Sequence, residues 1–106
     1  MAGKFEIKKA KDGQFYFNLK ASNGKIILTS ERYTEKRKAN QGIESVRKNA
    51  ANPARFERKE KRFVLKASNG EIIGTSETYS NGTGVTRGIA SVQKNAPEAA
   101  VDDKTA

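Results

Sequence analysis

Residues 19–33 read LKASNGKIILTSERY, and residues 65–79 read LKASNGEIIGTSETY. At a constant spacing of 46 positions the alignment runs without a gap from Phe17 and Phe63 to Ala50 and Ala96, with roughly 20 of 34 positions identical. One copy alone is near the lower size limit of a stable domain, and no Gly/Ser-rich or Pro-rich linker separates the two. Two copies sharing one core are therefore expected. This makes residues 1–106 a single domain, with repeat 1 at 4–52, repeat 2 at 53–101 and a tail at 102–106.

Within each copy the hydrophobic period changes from two to about 3.6. Phe15, Phe17, Leu19 and Ala21 alternate with Tyr16, Asn18 and Lys20, as in a half-buried strand. Asn23-Gly24 and Asn69-Gly70 then predict two-residue hairpin loops of type I′, with Ala21 facing Ile26, Leu19 facing Leu28 and Phe17 facing Ser30. Gly74, opposite Leu65, removes a side chain and implies close approach of a neighbouring element. Upstream, a three-residue loop of Lys11, Asp12 and Gly13 pairs Ile7 with Phe17 and Phe5 with Leu19. The matching hairpin of repeat 2 is five residues shorter and has Glu60 and Lys61 at its tip, which predicts an irregular turn. Ala39, Ile43, Val46 and Ala50 form a helical stripe, repeated by Val85, Ile89, Val92 and Ala96. Thr34 is placed to cap the first helix, Asn49 and Asn95 to end the helices in left-handed caps, and Pro53 and Pro97 to stop them. Gly42 and Gly88 lie mid-helix, where they imply a close approach. The expected fold is α+β: tandem β-β-β-α repeats forming a shared antiparallel sheet with two helices on one face, and a short strand through Val101.

The segments LKASNGKIILTSERY, GIESVRKNA, LKASNGEIIGTSETY and GIASVQKNAP resemble the YegP-like family of small prokaryotic tandem-repeat proteins, which contain a domain of unknown function. The resemblance runs from about Phe5 to Val101 and is carried by the K-A-x-N-G and S-x-x-x-N-A elements. It implies a tandem or dimeric repeat of β-β-β-α units that complete a common sheet, with the segment after each helix exchanged between units. It implies no established activity, cofactor or catalytic residue. The shortened hairpin at 58–62 and the stretch NGTGV at 81–85 depart from the family pattern.

Chemistry is bounded by what the chain lacks. Without Cys or His there are no disulfides, thiolate nucleophiles, imidazole bases or common zinc sites. No acid pair at readable spacing and no Gly-rich phosphate loop follows a strand, so an enzyme is not expected, and neither is a cofactor or metal. Lys20, Ser22, Thr29, Ser30 and Glu31, matched by Lys66, Ser68, Thr75, Ser76 and Glu77, read as hairpin and strand-end residues. Tyr33 and Tyr79 read as anchors of the strand-to-helix corner. Tyr16, Ile27, Val64 and Ile73 fall on the sheet face away from the core, where burial in a dimer fits better than an RNA-stacking platform.

The net charge of +9 is uneven: residues 1–50 carry 12 basic against 5 acidic side chains, and residues 51–106 carry 9 against 7. Lys36, Arg37 and Lys38 open the first helix, where cations oppose the helix dipole unless an anion is bound. Arg58, Lys59, Lys61 and Arg62 crowd the short hairpin, with Lys8, Lys9 and Lys11 on its counterpart. Lys36, Arg37, Lys38, Arg58, Lys59, Lys61 and Arg62 are the candidate polyanion-binding set. The expected function is a small non-enzymatic binding module that takes nucleic acid or another polyanion. The alternative is a structural or protein-interaction module, a homodimer included, with no nucleic-acid role. No apolar run reaches membrane-spanning length and residues 1–9 lack the apolar core of a signal peptide, so the expected compartment is the cytoplasm, with no membrane partner.

Overall fold

A computed structural model describes residues 3–105, so the expected domain limits at 1 and 106 lie outside the described residues. The strands are β1 (Lys4–Lys9), β2 (Phe15–Lys20), β3 (Ile26–Ser30), β4 (Phe56–Arg58), β5 (Phe63–Lys66), β6 (Ile72–Thr75) and β7 (Ala100–Asp103). Helix α1 (Lys36–Ala50) follows β3 and α2 (Gly82–Asn95) follows β6, each followed by a short 3-10 turn that contains the predicted proline. The fold is α+β, with tandem β-β-β-α repeats forming one sheet in the order β4-β5-β6-β3-β2-β1-β7. Six strands pair antiparallel, and β7 adds to β1 in parallel, extending to Asp103 beyond the expected end at Val101.

The repeats meet where β3 pairs with β6. Thr29 lies opposite Thr75, its own counterpart 46 positions on, so a pseudo-twofold axis passes between them. Leu28 and Gly74 are also counterparts, and they converge beside that axis. A Cβ on Gly74 would lie 2.7 Å from two carbons of the Leu28 side chain. The close approach expected at Gly74 is thus made by the residue that occupies its place in the other repeat. Packing crosses the axis as well, because α1 touches β5 and β6 of repeat 2 and α2 touches β3 of repeat 1. Phe5, Phe17, Leu19, Leu28, Ile43 and Val46 from repeat 1 share one buried cluster with Phe63, Leu65, Val85 and Val92 from repeat 2.

Several pairings follow the sequence prediction: Phe5 with Leu19, Ile7 with Phe17, Leu19 with Leu28 and Leu65 with Gly74. The Asn-Gly turns differ. Gly24 and Gly70 have φ of 86° and 88°, but Asn23 and Asn69 do not enter the left-handed region that type I′ requires. Instead the Gly24 N–H donates to Ala21 O, the Ala21 N–H donates to Lys25 O, and Asn23 Oδ1 accepts from the Lys25 N–H. Three-residue loops with a bulge result, so Lys20, not Ala21, stands opposite Ile26. The Asp12-Gly13 turn has the same bonds, with Gly13 left-handed as predicted.

The helix ends also depart from expectation. Thr34 does not cap α1: Glu35 occupies that position, without a side-chain cap bond, whereas Asn81 caps α2 through the Gly84 N–H. Asn49 and Asn95 remain helical and buried. Asn49 Nδ2 donates to Ser45 O and Asn95 Nδ2 to Ser91 O, while Asn49 Oδ1 accepts from Arg55 Nε and Asn95 Oδ1 from the Gly3 N–H. Each asparagine therefore ties a helix end to the start of a first strand, a stronger demand for a buried amide than a solvent-facing left-handed cap. The mid-helix glycines are explained by tyrosine. Tyr33 and Phe15 exchange backbone hydrogen bonds at 2.7 Å, and the Tyr33 ring stacks on Phe17 with its hydroxyl over Gly42. Tyr79, Phe63 and Gly88 repeat the arrangement.

A Cβ at Gly42 would meet the Tyr33 hydroxyl at 2.5 Å and the Phe17 ring at 3.0 Å. Overpacking of about 1–3 kcal/mol exceeds the roughly 1 kcal/mol of helix propensity that alanine returns. Gly42→Ala is expected to lower Tm by several degrees in thermal unfolding, and Tyr33→Phe in that background to recover part of the loss, because the hydroxyl is the nearest obstacle.

Candidate functional site

The basic residues of the chain fall into settings that the linear sequence does not separate. Lys36, Arg37 and Lys38 do open α1, and each has a carboxylate close by. Lys36 Nζ lies 2.9 Å from Asp103 on β7, Arg37 lies 3.5 Å from Glu35 and Lys38 lies 3.7 Å from Glu35. Lys36 thereby helps to hold β7 against the sheet. Lys4 at 3.4 Å from Asp102, the Lys104 N–H donating to Ile7 O, and Arg47 donating to Ala99 O complete this docking. Arg47 also lies over the Phe5 ring at 5.4 Å.

At the other end of the sheet the hairpin of β4 and β5 is built differently. Its turn closes through the Lys59 N–H to Arg62 O, and no residue in it is left-handed, so it is irregular as predicted. The Tyr79 N–H donates to Lys61 O at 2.6 Å and pins the tip against the corner before α2. Arg58 turns back over the start of α2, donating to Thr86 Oγ1 at 2.8 Å and Gly82 O at 3.0 Å. Lys59 pairs with Glu57 at 3.1 Å. Among the described residues, Arg58, Lys61 and Arg62 have no carboxylate within 4.0 Å. Lys59, Lys61 and Arg62 line a recess of about 360 Å³ with Glu60 and Thr78. The structure does not bring the two candidate clusters together: β4 and β7 close opposite ends of the sheet, six spacings of about 4.8 Å or roughly 29 Å apart.

Glu6 escaped the sequence reading. It is 4% exposed on β1, with Lys20, Lys4 and Lys8 at 3.1, 3.5 and 3.7 Å. Burial raises its carboxyl, but the Lys20 and Lys4 ammonium groups outweigh that, and it titrates below its ordinary range. Glu57 is its counterpart on β4, held down by Lys59 and Lys66. An acidic residue between Phe5 and Ile7 on a strand facing Lys20 was the available signal. Three of the repeated Ser and Thr residues have structural roles: Ser30 and Ser76 Oγ accept the Phe17 and Phe63 N–H groups, and Thr29 Oγ1 accepts from Asn18. Val64, Ile27 and Ile73 are 3, 7 and 8% exposed within one chain, and the two isoleucines join the core cluster. A larger recess, of about 460 Å³ between the start of β1 and the β2–β3 turn, contains Lys4 and Lys20, both already directed at Glu6. Among the described residues no group of three or more acidic side chains is arranged to hold a metal ion, and no helix is long and apolar enough to cross a membrane.

Comparison with known proteins places this arrangement. The model of a family described as a domain of unknown function, DUF1508, matches residues 10–57 and again 58–103. A UPF0339 protein of Pseudomonas aeruginosa is 64% identical over 59 residues, which are 56% of this chain and 54% of that protein. The UPF0339 protein YegP of Escherichia coli K12 is 56% identical over 59 residues, covering 56% of this chain and 54% of YegP. In these sequence matches the chain spans about half the length of the curated relatives. The solution structure of E. coli yegP, described as a protein of unknown function, superposes with a TM-score of 0.93 at 47% identity, covering 99% of this chain and 95% of that one. A UPF0339 protein of Shewanella oneidensis gives 0.93 at 44%, covering 99% and 93%.

The docking of β7 has a pH dependence. The Asp103 carboxyl is lowered from 3.8 to about 2, first by the Thr105 hydroxyl, then by Lys36 and the Thr105 amide. A depressed carboxyl stabilises fully above its unfolded value, and that contribution is lost as pH falls through the folded value. Hydrogen-exchange protection of the Lys104 amide, relative to core amides, is expected to hold above 3.8 and fall toward pH 2. Asp103→Asn is expected to weaken that dependence, with the remainder carried by Asp102, whose carboxyl is also lowered by Lys104 and Lys4.

Proposed function

The chain belongs to the DUF1508 family, a domain of unknown function, and from that footing we propose that it is a small binding module that receives nucleic acid or another polyanion at the β4–β5 end of its sheet. The observation that carries this is the contrast between the two basic clusters. Lys36, Arg37 and Lys38 each face a carboxylate, whereas Arg58, Lys61 and Arg62 face none among the described residues. Cations already paired with carboxylates release few counterions when a polyanion arrives, so affinity should come from the unpaired group. The recess beside Lys61 and Arg62, lined also by Lys59, Glu60 and Thr78, is large enough for a phosphate-sized group.

Fluorescence anisotropy with single-stranded RNA and with duplex DNA across a salt series tests this. About three to four phosphates at roughly 0.7 counterions each give a log-log slope near −2 to −3 on the single strand. Lys61→Ala with Arg62→Ala should reduce that slope by about 1.4. Replacing Lys36, Arg37 and Lys38 by alanine should leave it nearly unchanged. Absence of binding to either nucleic acid at low salt would remove nucleic acid as the partner and leave the protein-interaction module.

A further inference from the structure

The pseudo-twofold axis makes the two ends of the sheet comparable, and they are not equally finished. Phe5 pairs with Leu19 and Phe56 with Leu65, so β4 is the counterpart of β1, with Arg55, Phe56, Glu57 and Arg58 standing where Lys4, Phe5, Glu6 and Ile7 stand in repeat 1. The outer edge of β1 is covered by β7 in the parallel register Lys4 to Ala100, Phe5 to Val101, Glu6 to Asp102 and Ile7 to Asp103. The outer edge of β4 has no strand beside it among the described residues. The Lys59 N–H points to β5, and peptide groups alternate sides along a strand, so those of Phe56 and Arg58 point outward. The Phe56 N–H is taken by Pro53 O. Among the described residues, the Phe56 carbonyl and both peptide groups of Arg58 are left open. Ile7, the counterpart of Arg58, uses its carbonyl to accept the Lys104 N–H at 2.8 Å.

Charge repeats the comparison. On the finished end, Lys36 at the start of α1 binds Asp103 of the added strand. The counterpart of Lys36 is Gly82, at the start of α2, which has no side chain to offer. The Arg58 guanidinium bonds the Gly82 carbonyl and so places a cation at that site. The unfinished end therefore keeps open backbone groups and a cation where a carboxylate of an added strand would arrive. A second copy of this chain fits poorly there, since antiparallel pairing of two β4 edges about their centre would set Glu57 opposite Glu57 and Arg55 opposite Lys59.

We propose that the outer edge of β4 receives an extended acidic segment of a partner protein as an eighth strand, parallel to β4, in the order small, apolar, acidic, acidic, with the last acidic residue on Arg58. Strand addition of this kind draws its affinity from main-chain hydrogen bonds and its selectivity from alternate side chains. It presupposes that the β4–β5 end receives anions, as proposed above, and specifies the partner.

The chain's own β7 supplies the probe, because in the intact protein the β1 edge is already filled. A synthetic peptide with the sequence of residues 98–105, EAAVDDKT, is titrated into the 15N-labelled full chain. The amides of Phe56, Arg58 and Gly82 should shift and saturate, while that of Lys104 stays in place. The same peptide with both Asp replaced by Asn should bind about tenfold more weakly, and Arg58→Gln should weaken the acidic peptide by a similar factor. A peptide N-methylated at the amides that face β4 should not bind. Unmoved Phe56 and Arg58 amides at about 1 mM peptide overturn the proposal, as do equal binding of the N-methylated peptide or shifts confined to Ile7 and Lys104. The N-methylated peptide tests strand addition alone and the Asn peptide tests the anion requirement, so failure of one is separable from failure of the other.

Discussion

The fold depends on one packing constraint, the meeting of Leu28 and Gly74 where β3 pairs with β6. Two identical units joined about a twofold axis must present the same residue twice at the axis, and a pair of leucines there would overlap. Covalent duplication lets one copy keep the side chain and the other lose it. With that contact made, the sheet is continuous, each helix lies partly on the strands of the other repeat, and neither repeat has a complete core alone. The rest of the duplicated sequence can then stay nearly symmetric, which is why LKASNG and the Ser-Asn elements recur in matching roles.

What was legible in the sequence is what depends on period and local pattern. The strands around Phe17 and Phe63, the stripes from Ala39 and Val85, and the register of the first hairpin all follow from alternation, because burial of one face leaves little choice. The Asn-Gly turns misled because a loop of two or three residues uses the same pair, and the choice is made by the bulge that seats Lys20 opposite Ile26. Asn49 and Asn95 misled for a different reason: a helix-ending asparagine resembles a left-handed cap until its distant partner is known, and Gly3 is 92 positions from Asn95. The mid-helix glycines announced a close approach without saying that a tyrosine hydroxyl makes it.

Function was less legible because charge has no period. The sequence shows two basic clusters of similar strength, and only three-dimensional placement separates them. One lends Lys36 to holding β7, and all three of its cations are committed to carboxylates, of Asp103 or Glu35. The other stands on a short hairpin, pinned by Tyr79 and braced by Arg58, with its cations turned to solvent. β4 at this hairpin is also the unfinished edge, so backbone groups and positive charge coincide at the end where the repeats differ most.

The most direct test of the shared, axis-centred core is the stability of a residue swap across the junction. Leu28→Gly, Gly74→Leu and the double variant are compared with the parent chain by equilibrium denaturation. If one side chain fills one common space, each single change destabilises, by cavity or by overpacking, and the double variant recovers most of the loss, with a coupling on the order of 1–3 kcal/mol. Simple additivity of the two losses would contradict the account, since it would mean that Leu28 and Gly74 occupy independent environments and that the repeats do not share their centre.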